Sequence, residues 1–186
     1  MSALAPSDST AEETNDGVAK VAALARGIRI GMFTTVDDAG HFVSRPMAQQ
    51  EVEFDGSLWF FSERDARKVA HIAAHPYVGV TLTSNDTWLS LSGTAEVVDD
   101  HAKAEELWNG WVEAWLPQGP TDENTVLVRF TPETAEFWDT PGGRIASVIS
   151  FAKAKLTGEP YDGGENETVR LGADGPSRLG RSNPEG

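Results

Sequence analysis

Apolar and polar residues alternate along short runs over much of this chain, and in a few places the spacing lengthens to that of a helix. Ile28-Arg29-Ile30-Gly31-Met32-Phe33-Thr34-Thr35-Val36 is a β-rich run stopped by Asp37-Asp38-Ala39-Gly40, which predicts a hairpin. Residues 41–54 form the returning strand, in which Pro46 should mark a bulge or an edge. Phe54-Asp55-Gly56 then turns into Ser57-Leu58-Trp59-Phe60-Phe61-Ser62. Two more strands, Tyr77–Thr83 and Thr87–Val98, flank Ser84-Asn85-Asp86. The alternation shifts at Gly93, as a bulge or a close backbone approach would require. Residues 125–131 and 135–139 read as two further strands around Pro132-Glu133.

Four stretches have helical spacing. Residues 12–25 carry Val18, Val21, Ala22, Leu24 and Ala25 and end at Gly27. Residues 65–75 place Val69, Ile72 and Ala73 on one face, with Asp65 as N-cap and His75-Pro76 as the stop. Ala104, Leu107, Trp108, Trp111, Val112 and Trp115 predict one helix with a tryptophan face, most simply buried, with contact to a second subunit or the wall of a ligand pocket as the other reading. A weaker pattern covers residues 145–156. Six or seven strands, mostly hairpin-linked and without repeated βαβ units, predict a mainly β protein: a closed or nearly closed antiparallel barrel with peripheral helices. Residues 1–14 read as a flexible segment, 15–156 as the domain, and 157–186 as an extended or disordered tail rich in Gly, Pro, Glu and Asn.

Charge narrows the partners. The 186 residues carry a formal net charge of −14, which argues against nucleic acid or an anionic membrane as the main partner. The chain has no cysteine, so disulfides, thiolate nucleophiles and Cys-based metal sites are excluded. No apolar run approaches the ~20 residues of a membrane span. The acidic, polar start is unlike a secretory signal, so a cytoplasmic protein is expected.

Against this acidic background one basic cluster stands out. Ser62 ends a strand, and Arg64, Arg67 and Lys68 follow at the start of a helix. A hydroxyl, several cations and the free N–H groups of a helix start make an anion site. Cations in a first turn oppose the helix dipole, which lends support to a bound anion beside the plainer reading of a solvated helix start with an N-terminal serine. The residues alone imply a phosphorylated small ligand. His71 and His75 have the spacing of a two-histidine metal pair, but no Glu follows His71 and no third ligand is evident, so packing or surface roles are expected and no metal. P-loop, GxGxxG and GxSxG motifs are absent.

Ser44-Arg45-Pro46-Met47, Trp59-Phe60-Phe61-Ser62 with Ala66-Arg67-Lys68, and Trp88-Leu89-Ser90-Leu91-Ser92-Gly93 resemble the FMN-binding split β-barrel of the pyridoxamine 5′-phosphate oxidase superfamily. Glu106-Leu107-Trp108-Asn109, Ala114-Trp115-Leu116-Pro117, Glu136-Phe137-Trp138-Asp139 and Gly164-Glu165-Asn166-Glu167 resemble its general-stress-protein branch. The resemblance implies a six- to seven-stranded split barrel and a homodimer with FMN at the subunit interface. It implies that Arg45, Pro46 and Met47 line the isoalloxazine, with the Arg45 charge near the flavin N1–C2=O edge. Phe61 and Ser62 then lie beside ribityl and phosphate, Arg67 and Lys68 grip the phosphate, and Trp88 contacts the flavin. Gln50 replaces a lysine that the oxidases place near substrate, and no C-terminal Arg/His segment serves a substrate phosphate, so vitamin B6 oxidation is not expected. The implied activity is FMN-dependent oxidoreduction, with hydride passing between a reduced nicotinamide and a small acceptor and no side chain singled out as catalytic. The alternatives are a flavin-binding or storage stress protein and a deazaflavin (F420)-dependent reductase.

Overall fold

The computed structural model describes residues 19–50, 56–85, 87–139 and 165–171. Within them the chain is mainly β. Helix α1 (residues 19–25) is followed by strands β1 (Ile30–Val36), β2 (Phe42–Ala48) and β3 (Leu58–Glu63), then helix α2 (Arg67–Ala74). Strands β4 (Tyr77–Thr83) and β5 (Thr87–Val98) come next, then helices α3 (His101–Leu107) and α4 (Gly110–Trp115). Strands β6 (Thr125–Asp139) and β7 (Glu165–Arg170) complete the set.

All pairings are antiparallel, in the order β2-β1-β4-β5-β6-β3, with β7 also on β6. An isolated bridge between Gln49 and Phe60 joins the two ends of that order, and Gln50 N–H donates to the Trp59 carbonyl at 2.8 Å. The sheet thus curls into the predicted split barrel. Its seam is the short contact between β2 and β3.

Alternation along each strand decides what fills the barrel. Phe33, Phe60, Val80, Leu82, Leu89, Leu91, Val128, Phe130 and Phe137 are fully buried inside it. Phe33 meets Phe60 and Phe130 edge-to-face at 5.3 and 6.4 Å. A second, smaller core lies outside β3, where Trp59 and Leu127 pack under Ala104 and Leu107 of α3.

Several boundaries differ from the sequence reading. β6 is one strand through Pro132 and Glu133, because the irregularity there is absorbed by a register shift against Ser92/Gly93. A Cβ on Gly93 would stand 2.1 Å from the Thr131 carbonyl oxygen, so the glycine answers to close backbone approach, as its place in the pattern suggested. The expected tryptophan helix is two helices. Asn109 breaks it, and its Oδ1 accepts from the N–H groups of Trp111 and Val112 to cap α4. Helix α2 starts from Ala66 rather than Asp65, with no side-chain cap. Gly27, at φ +87°, ends α1 as expected. β7 falls within the segment expected as a tail and pairs with β6. The pattern over residues 145–156, the first half of the N-terminal helix and residues 51–55 of the expected second strand lie outside the described residues. Among the described residues no helix is long and apolar enough to cross a membrane.

Candidate functional site

The barrel seam, the start of α2 and the α3–α4 pair enclose a cavity of about 940 Å³. Its walls include Pro46 and Met47 of β2, Phe61 and Ser62 of β3, Lys68 of α2, and Trp108, Trp111 and Trp115 above. Five of the eight expected site residues therefore meet in one place. They come from three elements because β3 runs along the seam beside β2 and delivers the chain straight into α2.

Arg45 enters the same neighbourhood from the side. It occupies an inward position of β2, opposite Phe33, and is half-buried. Its Nη1 donates to Thr35 Oγ1 at 2.8 Å and to the Phe33 carbonyl at 3.4 Å. Burial, reinforced by the charge of Arg67, lowers its affinity for the proton from the usual arginine range. Lys68 is likewise pushed below the ordinary lysine value, first by burial and then by Arg45, with Glu63 opposing. These mutual effects place Arg45, Arg67 and Lys68 in one cationic group. Among the described residues the side chains of Arg67 and Lys68 form no hydrogen bond or ion pair. Arg64, the fourth cation of the motif, turns away to bond Asp99 at 2.5 Å.

The group sits at the first turn of α2. Its opening N–H groups lack a side-chain cap and its first turn carries no acidic residue. Unsatisfied donors, the positive end of a helix dipole and three cations favour an anion at this point. Ser62 is buried at 3% exposure beside them, its hydroxyl donating to the Glu63 carbonyl at 2.9 Å.

The roof has a different character. Trp108 is half-buried and meets Phe61 edge-to-face at 5.3 Å. Trp111 and Trp115 are 62% and 80% exposed, which corrects the expectation of a buried face: the break at Asn109 rotates α4 so that only Val112 points into the protein. The Arg29 guanidinium lies over the Trp111 ring at 5.4 Å. Asn109 Nδ2 donates to Gln50 Oε1 at 2.8 Å, joining the roof to the end of β2.

Trp88 stands apart from the cavity of its own chain. It lies on the outer face of β5, paired with Thr83 and Trp138, and is 44% exposed. His71 is buried with its Nδ1 2.9 Å from Thr35 Oγ1, and among the described residues no group of three or more His, Cys, Asp or Glu could hold a metal ion. The sequence reading passed over Thr35, Asn109 and the latch made by Gln50. Asn109-Gly110 is a helix-breaking dipeptide and was open to notice. Thr35, one hydroxyl in a β-rich run, carried no signal.

Comparison with known proteins agrees with this architecture. The family model described as "Pyridoxamine 5'-phosphate oxidase like" matches residues 16–162. A solved structure from Jannaschia sp. CCS1, assigned as general stress protein 26, superposes with a TM-score of 0.71 at 27% identity, covering 84% of this chain and 99% of that one. The general stress FMN/FAD binding protein of Xanthomonas citri superposes with a TM-score of 0.56 at 29% identity, covering 66% of this chain and 87% of that one. Protein bli-3 of Neurospora crassa is 26% identical over 144 residues, which is 71% of this chain and 69% of that protein. With the split barrel, the seam cavity and a match over most of its length, the chain belongs to the pyridoxamine 5′-phosphate oxidase-like family.

Proposed function

We propose that the chain binds FMN, with the phosphate at the start of α2 and the ring along the β2–β3 seam beneath Trp108, and that it acts as a flavin-dependent oxidoreductase of the general-stress type. One observation carries the reading. Lys68 lines a cavity large enough for a drug-sized ligand, at an uncapped helix start that also carries Arg67 and feels the charge of Arg45. Three like charges repel one another, and a dianionic phosphate is the counter-charge that such a cluster fits. The relative from Xanthomonas citri, named for FMN/FAD binding, supports the choice of flavin.

The side chains divide the work. Lys68 and Arg67 supply a point charge and a planar fork to phosphate oxygens. Arg45, whose charge acts on Arg67 and Lys68 at the start of α2, is assigned to the phosphate as well, rather than to the N1–C2=O edge of the ring. Pro46 and Met47 offer strand backbone to the ring, and Phe61 with Trp108 offers an aromatic wall. Bound there, the flavin supplies the redox chemistry, exchanging hydride or electrons with a nicotinamide donor and a small acceptor.

A homodimer is part of the proposal. Ile30, Met32, Trp88 and Trp138 share the outer face of β1, β5 and β6 and are 56%, 43%, 44% and 37% exposed. A strip of this kind, crossed by the exposed Thr81 and Thr83 of β4, fits an interface. Ile30 also lines the cavity, so the strip runs into the site, and Trp88 would reach the flavin of a second copy.

The test is direct. Purified protein should be yellow or take up FMN stoichiometrically, and mass spectrometry of the released ligand should give FMN rather than a deazaflavin. Anaerobic NADH or NADPH should bleach the colour and air restore it. Protein that neither carries nor accepts flavin overturns the reading. A bound flavin that no nicotinamide reduces leaves binding in place and removes the enzyme.

A further inference from the structure

The most buried polar arrangement in the barrel is not at the cavity wall but behind it. Thr35 is fully buried on β1, and its hydroxyl is shared between Arg45 of β2 and His71 of α2. His71 is 8% exposed and lies one helical turn beyond Arg67, on the same side of α2. Nothing in the proposed binding role requires either Thr35 or His71. A valine would fill the same space at position 35 without a polar atom to satisfy.

Counting hydrogens sets the direction of the first contact. Arginine only donates, so Thr35 Oγ1 accepts from Arg45 Nη1 at 2.8 Å. The single Thr35 proton then has two acceptors in reach, His71 Nδ1 at 2.9 Å and the Val43 carbonyl at 3.5 Å. The second lone pair of the oxygen can equally accept from a protonated Nδ1, so the contact joins Thr35 to His71 in either tautomer of the ring.

We infer that Thr35 and His71 are positioning residues, which aim the Arg45 guanidinium at the start of α2 so that it acts with Arg67 and Lys68 on a single phosphate. The inference rests on the phosphate assignment above and extends it. Without the hydroxyl, Arg45 retains among the described residues only the Phe33 carbonyl at 3.4 Å, a weak partner for a cation that its neighbours repel. The same hydroxyl touches His71 of α2, a helix already packed on the barrel through Ile72, so it fixes where the guanidinium stands relative to that helix. Thr35 touches no ligand in this scheme. Its effect passes entirely through Arg45.

Full-length protein titrated with FMN and with riboflavin, which lacks the phosphate, tests this. Wild type should prefer FMN. Thr35→Val should erode that preference by about tenfold while leaving riboflavin affinity unchanged, the loss expected for one hydrogen bond to a charged group. Thr35→Ser, which keeps the hydroxyl, should retain the preference. In an Arg45→Ala background, Thr35→Val should have no further effect, because the residue it positions is gone. Should Thr35→Val fail to fold, His71→Leu carries the same comparison, with His71→Asn restoring a polar partner for the hydroxyl.

The inference is overturned if Thr35→Val keeps the wild-type preference, if FMN and riboflavin affinities fall together, or if its loss persists undiminished without Arg45. A wild type that does not prefer FMN brings down the phosphate assignment and this inference together. A preference abolished by Arg67→Ala with Lys68→Ala but untouched by Thr35→Val removes this inference alone.

Discussion

At the start of α2 the cavity is bounded by charge held on hydrogen-bonded backbone, whereas beneath α3 and α4 it is bounded by tryptophans, two of which face solvent. The first region is assembled from four successive elements, β1, β2, β3 and α2, fixed to one another by a strand ladder and a buried hydroxyl. The second is assembled from one contiguous stretch, residues 101–116, fixed by the side-chain caps of Asp100 and Asn109 and an edge-to-face ring contact. Electrostatic binding of a small anion demands angular precision, because hydrogen bonds weaken steeply off line. Stacking is tolerant of both angle and identity. On the proposed reading, selectivity for the ligand would then lie at the phosphate end, with the ring end permissive.

The sharpest way to break this contrast is to remove the charge. Arg67→Ala combined with Lys68→Ala should lower FMN affinity by about a hundredfold or more, as two hydrogen bonds to charged groups imply, with riboflavin affinity changed by no more than about twofold. The melting temperature of the ligand-free protein should not fall, since neither side chain has a partner among the described residues and their mutual repulsion is relieved. Equal losses for FMN and riboflavin in isothermal titration would place the anion elsewhere.

The opposite perturbation, Trp108→Ala, should act on the ring. It removes the edge-to-face partner of Phe61 at the cavity wall and should weaken FMN and riboflavin alike, by about tenfold, the magnitude of one aromatic contact. A loss confined to FMN contradicts the division between the two regions.

Raising the pH probes the charged region without mutation. The Lys68 ammonium is held below its ordinary proton affinity by burial and by Arg45. Keeping it charged therefore costs the ligand-free folded state stability below that lowered value, and the cost fades as pH rises through it toward the ordinary lysine range. FMN needs the charge, so its affinity should fall over the same alkaline window. Above pH ~8 the phosphate is already dianionic and contributes no slope of its own. Stability of the ligand-free protein, measured relative to Lys68→Met, should rise where FMN affinity falls. Lys68→Arg should flatten the affinity profile. Parallel slopes for the two quantities would remove Lys68 from the site.

How much of this was legible in sequence follows the same contrast, with the roles reversed. Strand limits for β4 and β5, the glycine at the Gly93 shift and the Ser62-to-Lys68 junction could be read because each rests on local periodicity or spacing. The cavity residues Pro46, Met47, Phe61, Ser62 and Lys68 could be grouped through family likeness before any contact was known. The roof, although contiguous, was misread: Trp108, Trp111 and Trp115 keep helical spacing across a break, and periodicity cannot register that Asn109 caps a new helix. The inner bracing of Arg45 was invisible for another reason. Thr35 and His71 are 36 residues apart and meet only because the barrel closes, so no local signal exists.

The smallest effect separates the two jobs of Asn109. Its Oδ1 caps α4 through the N–H groups of Trp111 and Val112, while its Nδ2 bonds Gln50 Oε1 and the Leu107 carbonyl. Asn109→Ala removes both and should lower stability by about 1 kcal/mol, the usual value of a cap, which in a domain of this size shifts the melting temperature by roughly 2–4 °C. Asn109→Asp keeps the capping oxygen but replaces the donor with an acceptor facing Gln50. It should restore most of the melting temperature while still loosening the roof, seen as a red shift in tryptophan emission as Trp108 gains solvent. Because the roof grips only the ring, neither variant should alter the ratio of FMN to riboflavin affinity. A changed ratio would mean that the end of β2, through Gln50, carries the roof's strain back to Arg45, and the two regions would have to be treated as one.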